Sequence, residues 1–343
     1  MKLSISRDAA LPAAFVAAVT RIFLDLALDG APIHNGVWIA ALLGALPAMP
    51  YLICLDLLAE RLPDAPARRA LSGLLLAVTA LDAARIMAVV LRSSEFLTLE
   101  PVNPVFLVLP VTLAALWCSW PNGDAIGYAA MLWRRAFPAL MLVIILLQCR
   151  HYRPQWLRPW LGNGWGDIVE GAIRTSGCYV PATSILFVCK PSGRAGKRRP
   201  GVARIALASV VAALLLVLRL MMTPSGMIDM PWVSRLDALL TNGRAPLYLQ
   251  LPMIVAFFAG IMHLLTCECF AASALLQQLV PKLGGRACAG VVVIMSALLP
   301  FVKSFRSMQD QVMPWLFVAA SVSAALAALL RIRFPGGKRS CED

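Results

Sequence analysis

Apolar residues run along this chain in long stretches parted by short polar loops, and the loops alternate between rich and poor in Lys and Arg. A helix needs about 20 apolar residues to cross the hydrocarbon core of a bilayer. On that measure the pattern predicts about ten spans: Ala9–Leu28, Val37–Leu58, Ala70–Leu91, Val102–Cys118, Tyr128–Gln148, Ile168–Cys189, Ile205–Met222, Leu247–Leu265, Ala287–Phe301 and Pro314–Leu330. The fifth carries Trp133-Arg134-Arg135 inside it. Either a short helix starts after Arg135 or an amphipathic interfacial turn precedes it; the second is expected, because Arg snorkels to the headgroups. The expected fold class is all-α, a polytopic membrane protein, with residues 1–343 as a single membrane domain.

The loops fix an orientation. Lys190, Arg194, Lys197, Arg198, Arg199 and Arg204 crowd one connection between apolar runs, and such loops stay on the cytoplasmic side. With both termini inside, 19 of the 31 Lys and Arg fall in cytoplasmic segments and 8 outside. The external exception, Arg150 to Trp160, has the aromatic and Pro content of a segment lying on the outer interface. A second external excursion, Pro224 to Pro246, carries Trp232 and is expected to hold a short surface helix. The expected location is a bacterial inner membrane.

Composition agrees with this. The chain is 60% hydrophobic and 14% charged, against about 25% charged in a soluble domain. Its net charge of +13 is dispersed over span ends rather than gathered on one face, which argues for topology and anionic lipid headgroups and against nucleic acid. The 9 Cys are odd in number and mostly within apolar segments, so a disulfide framework is not expected. Cys267-Glu268-Cys269 lacks the second ligand pair of a zinc site, and His34, His151 and His263 are scattered. No cofactor or metal is expected. Neither is an enzyme, since no nucleophile–base or paired-carboxylate arrangement is visible. The first apolar run leads straight into the bundle without a convincing cleavage site, so no signal peptide is expected.

Candidate chemistry therefore lies in polar groups within spans. A charge at mid-membrane costs about 2.5–3.5 kcal/mol on insertion scales, so it needs a partner. Arg21 and Asp25 lie four apart on one face, and Asp82 and Arg85 three apart. Each couple is open to two readings: a self-contained structural pair, or coordination of ligand or proton between spans. His263 reads as a satisfied interior histidine or as a ligand or proton relay. Asp56 is expected to reach cytoplasmic water, Arg219 to snorkel, and Glu268 to be solvated beside the cytoplasmic interface.

The order of short motifs across these spans resembles the spore germinant receptor B-subunit family (GerAB type), within the amino acid–polyamine–organocation (APC) transporter superfamily. The residues that carry the likeness are Glu60-Arg-Leu-Pro63 after span two, Leu91-Arg92-Ser-Ser-Glu95-Phe96 leaving span three, and Pro101-Val-Asn-Pro104 opening span four. Trp156-Leu-Arg-Pro159-Trp-Leu-Gly before span six and Ala259-Gly260-Ile-Met-His263 in span eight complete it. The chain departs from the family in its first span, where Val19 to Asp29 contains neither Gly nor Pro, and in span five, where the usual early Arg is displaced to Arg134 or Arg135.

The resemblance implies a LeuT-like five-plus-five inverted repeat, with spans one and six unwound near the midplane around a small amino acid-like ligand. It also implies a germinant-sensing role beside receptor A and C subunits; a proton- or sodium-coupled amino acid permease is the alternative. The residues of span six lend the break independent support. Thr175, Ser176, Gly177 and Tyr179 precede Pro181, which lacks an N–H, and Gly177 tolerates an opened backbone. Amides freed at such a break bind the ends of small zwitterions. The other reading is a kinked helix whose hydroxyls bond back to its own carbonyls.

Overall fold

The computed structural model describes residues 3–28, 35–61, 66–97, 104–119, 123–148, 154–162, 164–189, 203–222 and 247–302, with Phe305 and the pairs 318–319 and 321–322. Most of these residues are helical: α1 (Arg7–Leu28), α2 (Val37–Leu43), α3 (Ala45–Arg61), α4 (Pro66–Leu97), α5 (Pro104–Ser119), α6 (Gly123–Gln148), α7 (Trp165–Phe187), α8 (Leu207–Met222), α9 (Leu247–Leu279) and α10 (Gly285–Leu298). Short 3-10 turns at Pro154–Leu157, Ala203–Ala206 and Leu299–Phe301 join or end them. The loop 190–202, the excursion 224–246, His34, His151 and most of span ten lie outside the described residues, as do the side chains of Asp56, Arg219, Glu95 and Arg92.

α1 is central. Ala9, Ala10, Ala13, Ala14, Ala17 and Ala18 are all buried, and their small size lets α6, α7, α8 and α9 pack against one axis. Among the described residues, α4 and α9 share the most extensive helix contact. They are also the longest helices, at 32 and 33 residues, so each spans about 48–50 Å at 1.5 Å per residue. Both exceed the roughly 30 Å hydrocarbon core and must tilt or project beyond it.

The surface is inverted relative to a soluble protein. Exposed Leu109, Leu113 and Trp117 form a stripe on α5, and Val291, Ile294, Met295 and Leu298 another on α10, at helical spacing. Arg21, Asp82 and Glu268 lie inside instead. Apolar side chains outward and charges inward mark an integral membrane protein.

Five expectations are corrected here. Span five has no interfacial turn: α6 continues through Arg134 and Arg135, both exposed, because neither Gly nor Pro interrupts the register between Gly127 and Pro138. Span two is divided instead. Gly44 separates α2 from α3, its backbone N–H still bonded to Ala40 O at 2.9 Å. Span one is an unbroken helix, Pro12 included. Span six is likewise helical from Trp165 to Phe187 with Pro181 inside, so neither of the implied unwound segments is seen. Span eight runs on to Leu279, fourteen residues past its expected end at Leu265.

Each end of this bundle is tied. At one end, Leu3 N–H donates to Gln277 Oε1 of α9 at 2.8 Å, and Ser6 N–H to Asp124 Oδ1 in the first turn of α6 at 2.8 Å. Between them Ile5, itself buried, pairs with Cys189 beyond the end of α7. At the other end, Asn35 Nδ2 donates to Arg158 O at 2.8 Å, and Trp38 meets Trp160 edge-on at 6.5 Å between centroids.

Candidate functional site

Arg21, in the middle of α1, is 2% exposed, and Asp82 on α4 is 0% exposed. The guanidinium grips the carboxylate with two parallel bonds, Nε to Oδ2 at 2.7 Å and Nη2 to Oδ1 at 2.9 Å. This fork-on-fork arrangement is the strongest geometry available to an Arg–carboxylate couple. Arg21 also reaches Asp25 Oδ1, but only at 3.4 Å, while Arg85 Nη1 approaches that same Oδ1 at 3.1 Å. The Arg21–Asp25 couple expected within α1 is thus present at 3.4 Å, while the shorter contacts run between α1 and α4. Side chains four apart on one helix run side by side, whereas residues on facing helices meet head-on, which suits the planar fork.

A third helix completes the group. Glu268 on α9 is fully buried, and its leading electrostatic neighbours are Asp82, Arg21 and Arg85. Neither of its carboxyl oxygens meets an N–H or hydroxyl donor, and the carboxyl within hydrogen-bonding reach is that of Asp82. The expectation that it is solvated at an interface is therefore wrong, and the cause is the misplaced end of span eight. Apolar residues continue on both sides of Cys267-Glu268-Cys269, with Phe270, Ala271, Ala272, Ala274 and Leu275 all buried; that continuation was the available signal. Cys178 on α7 is buried within electrostatic reach of Arg21, Asp25, Asp82 and Arg85. Four helices thus converge on one charged centre, in which two guanidiniums face three carboxyls. Among the described residues no group of His, Cys, Asp and Glu has the arrangement of a metal site.

The span-six candidates lie along α7. Thr175 Oγ1 donates to Gly171 O at 2.8 Å, and Ser176 Oγ to Ile173 O at 2.7 Å. Thr183 and Ser184 likewise bond back to Tyr179 O and Pro181 O. This is the back-bonded arrangement set against a broken helix. Gly177 is buried. The Thr175 side chain also presses on Gly44, where an added Cβ would stand 2.5 Å from its Cγ2; the joint between α2 and α3 therefore requires glycine.

Tyr179 turns away from the charged centre. Its hydroxyl donates to Ala206 O at 3.2 Å and shares a 2.7 Å hydrogen bond with Ser209 Oγ, tying α7 to α8. Tyr179→Phe should lower stability by about 1 kcal/mol, the net worth of an ordinary hydrogen bond, seen as a reduced melting temperature in detergent. A shift in ligand affinity at unchanged melting temperature would place the hydroxyl at a ligand instead. His263 rests against α1, with Nε2 at 3.4 Å from both Ala13 O and Cys267 Sγ.

No family model matches the sequence, and no curated protein matches it. Solved structures do. The structure of MhsT in complex with L-phenylalanine is similar, with a TM-score of 0.68 at 12% identity over 98% of this chain and 91% of that one. Mhp1, a nucleobase-cation-symport-1 family transporter in a closed conformation with bromovinylhydantoin bound, gives 0.63 at 12% identity over 97% and 93%. A manganese transporter of Eremococcus coleocola gives 0.60 at 17% identity over 96% and 80%. The chain has the LeuT-type fold these proteins share.

Proposed function

We propose that this chain is a secondary transporter that moves a small amino acid-like solute, coupled to protons or sodium, and that its 343 residues act as one membrane domain. One observation carries the reading: a buried, cross-helix charged centre made by α1, α4 and α9. A purely structural bundle has little reason to hold five ionisable side chains in its interior, and in membrane proteins such groups mark substrate and ion pathways. Likeness of fold to transporters of amino acids, nucleobases and metal ions supports the class without naming the solute. In this reading Arg21, Asp25, Asp82 and Arg85 set the electrostatics of the pathway. Thr175, Ser176, Gly177 and His263 lie on α7 and α9, two of the helices that pack on α1, and are assigned to the ligand-binding region.

The test is uptake into proteoliposomes of a pooled set of radiolabelled amino acids, driven in turn by a pH gradient and a sodium gradient. Accumulation above the ungraded control is expected with one of them; none with either sinks the transporter reading. Germinant sensing differs in requiring partners, and co-purification of receptor A and C subunits with the chain would favour it. For orientation, both termini and the 190–204 loop are assigned to the cytoplasm. Single-Cys labelling at Ser192, Gly164 and Ser340 should read inside, outside, inside; labelling of Gly164 only after lysis would reverse the assignment.

A further inference from the structure

We propose that Glu268 is the proton-carrying residue of this protein: Asp82 and Glu268 hold one exchangeable proton between them, and it resides on Glu268. Asp82 has both oxygens accepting from Arg21, at 2.7 and 2.9 Å. Glu268 lies within hydrogen-bonding reach of it, with no N–H or hydroxyl donor on either oxygen and no exposure to solvent. An ionised carboxyl in that setting would be both desolvated and set against a like charge. Arg21 and Arg85 are the cations within reach, and the first is committed to Asp82 and the second to Asp25 at 3.1 Å. Among the described residues the centre holds two guanidiniums and three carboxyls, which a single proton brings to neutrality.

The groups facing Glu268 are Asp82 and Arg85 on α4, Arg21 on α1 with Asp25 behind it, and Cys267 and Cys269 on its own helix. On α7, Cys178 neighbours the same ion pairs. α5, α6 and α10 put no described ionisable group among its leading neighbours. A metal cation is the poorer occupant. It would lie next to two guanidiniums, and the described carboxyls do not converge as a ligand set. Loss of the proton would leave an unpaired negative charge at the contact of α4 with α9. That charge would pull Arg21 or Arg85 from its present partner, and so couples proton release to the packing of α1, α4 and α9.

The coupling role rests on the transporter reading; the proton itself does not. Infrared spectra of the purified full chain at neutral pH should contain the carbonyl band of a buried, protonated carboxylic acid. Glu268→Gln should remove that band, and Glu170→Gln, at an exposed ion pair, should leave it. Labelling wild-type protein with heavy-carbon glutamate should shift it, which identifies the acid even where Glu268→Gln yields no protein. A missing band, a band that survives Glu268→Gln, a band unmoved by labelled glutamate, or one abolished by sodium at constant ionic strength would overturn the assignment. In proteoliposomes, uptake of the amino acid pool should carry protons inward, and Glu268→Gln should lose accumulation driven by the pH gradient. Uptake without proton movement overturns the coupling role. A complete lack of uptake sinks the transporter reading, while the infrared band decides the proton site separately.

Discussion

Arg21→Leu should destabilise the folded protein by about 3–5 kcal/mol, the loss seen when one member of a buried ion pair is removed. Adding Asp82→Leu should recover much of that loss; adding Asp25→Leu should not. The difference follows from the cross-pairing. Without Arg21, Asp82 keeps a buried charge whose two closest donors are gone. Removing Asp82 as well leaves Asp25 with Arg85 at 3.1 Å, an intact couple. Removing Asp25 instead leaves Asp82 stranded and takes away the 3.1 Å contact of Arg85. A double-mutant cycle on melting temperature and membrane abundance measures this directly. Equal rescue by Asp25→Leu would mean that the pairing within α1 dominates, contrary to the 3.4 Å separation found there. Transport is expected to stay impaired in the rescued double variant, since the charged centre would be gone.

Gly127→Ala carries the second large effect. A Cβ at this position of α6 would stand 2.5 Å from Ala9 Cα and 2.7 Å from Ala9 O. Those atoms are main chain, so no side-chain rotation relieves the overlap and α1 and α6 must separate. Overpacking of this kind costs about 1–3 kcal/mol, and more where backbone has to shift. Gly73→Ala is the matched comparison, because nothing lies within 4 Å of its would-be Cβ. There the gain of helix propensity, about 0.8–1 kcal/mol, should appear as equal or higher stability. Folded yield by size-exclusion fluorescence checks both, and a monodisperse, wild-type-like Gly127→Ala would refute the close helix approach.

The fold could be read from the sequence to the extent that it depends on length and apolarity. Helices α1, α5, α7 and α8 begin and end within a few residues of the apolar stretches in the sequence, because charged or Pro-containing loops mark their ends. Span eight reads short in the sequence because Glu268 resembles the end of an apolar run; hydropathy treats a lone acid as solvated, and only the surrounding buried Ala and Leu say otherwise. Span six was expected to open because Gly177 and Pro181 permit it. Permission is not a requirement, and Thr175, Thr183 and Ser184 satisfy their hydroxyls within one continuous helix. The same limit applies to the charged centre. Arg21, Asp25, Asp82 and Arg85 were all identifiable as misfits in lipid, but their closer pairing across helices depends on how α1 faces α4. Spacing within one helix carries no information about that. Gly44 and Gly127 were equally hidden, since a glycine reveals its purpose only through what lies opposite.

The strap formed by residues 3–6 has a consequence for how substitutions are tolerated. Its two donors, Leu3 N–H and Ser6 N–H, belong to the main chain, and their acceptors, Gln277 Oε1 and Asp124 Oδ1, are side-chain atoms. Replacing the Leu3 or Ser6 side chain therefore leaves either bond available, unless the replacement is Pro, which has no N–H to give. Gln277 and Asp124 have no such latitude, because each bond ends on an atom that only a few residue types can supply. The fastening at this end of the bundle is thus lopsided: permissive along the strap, and exacting on the two distant helices that receive it.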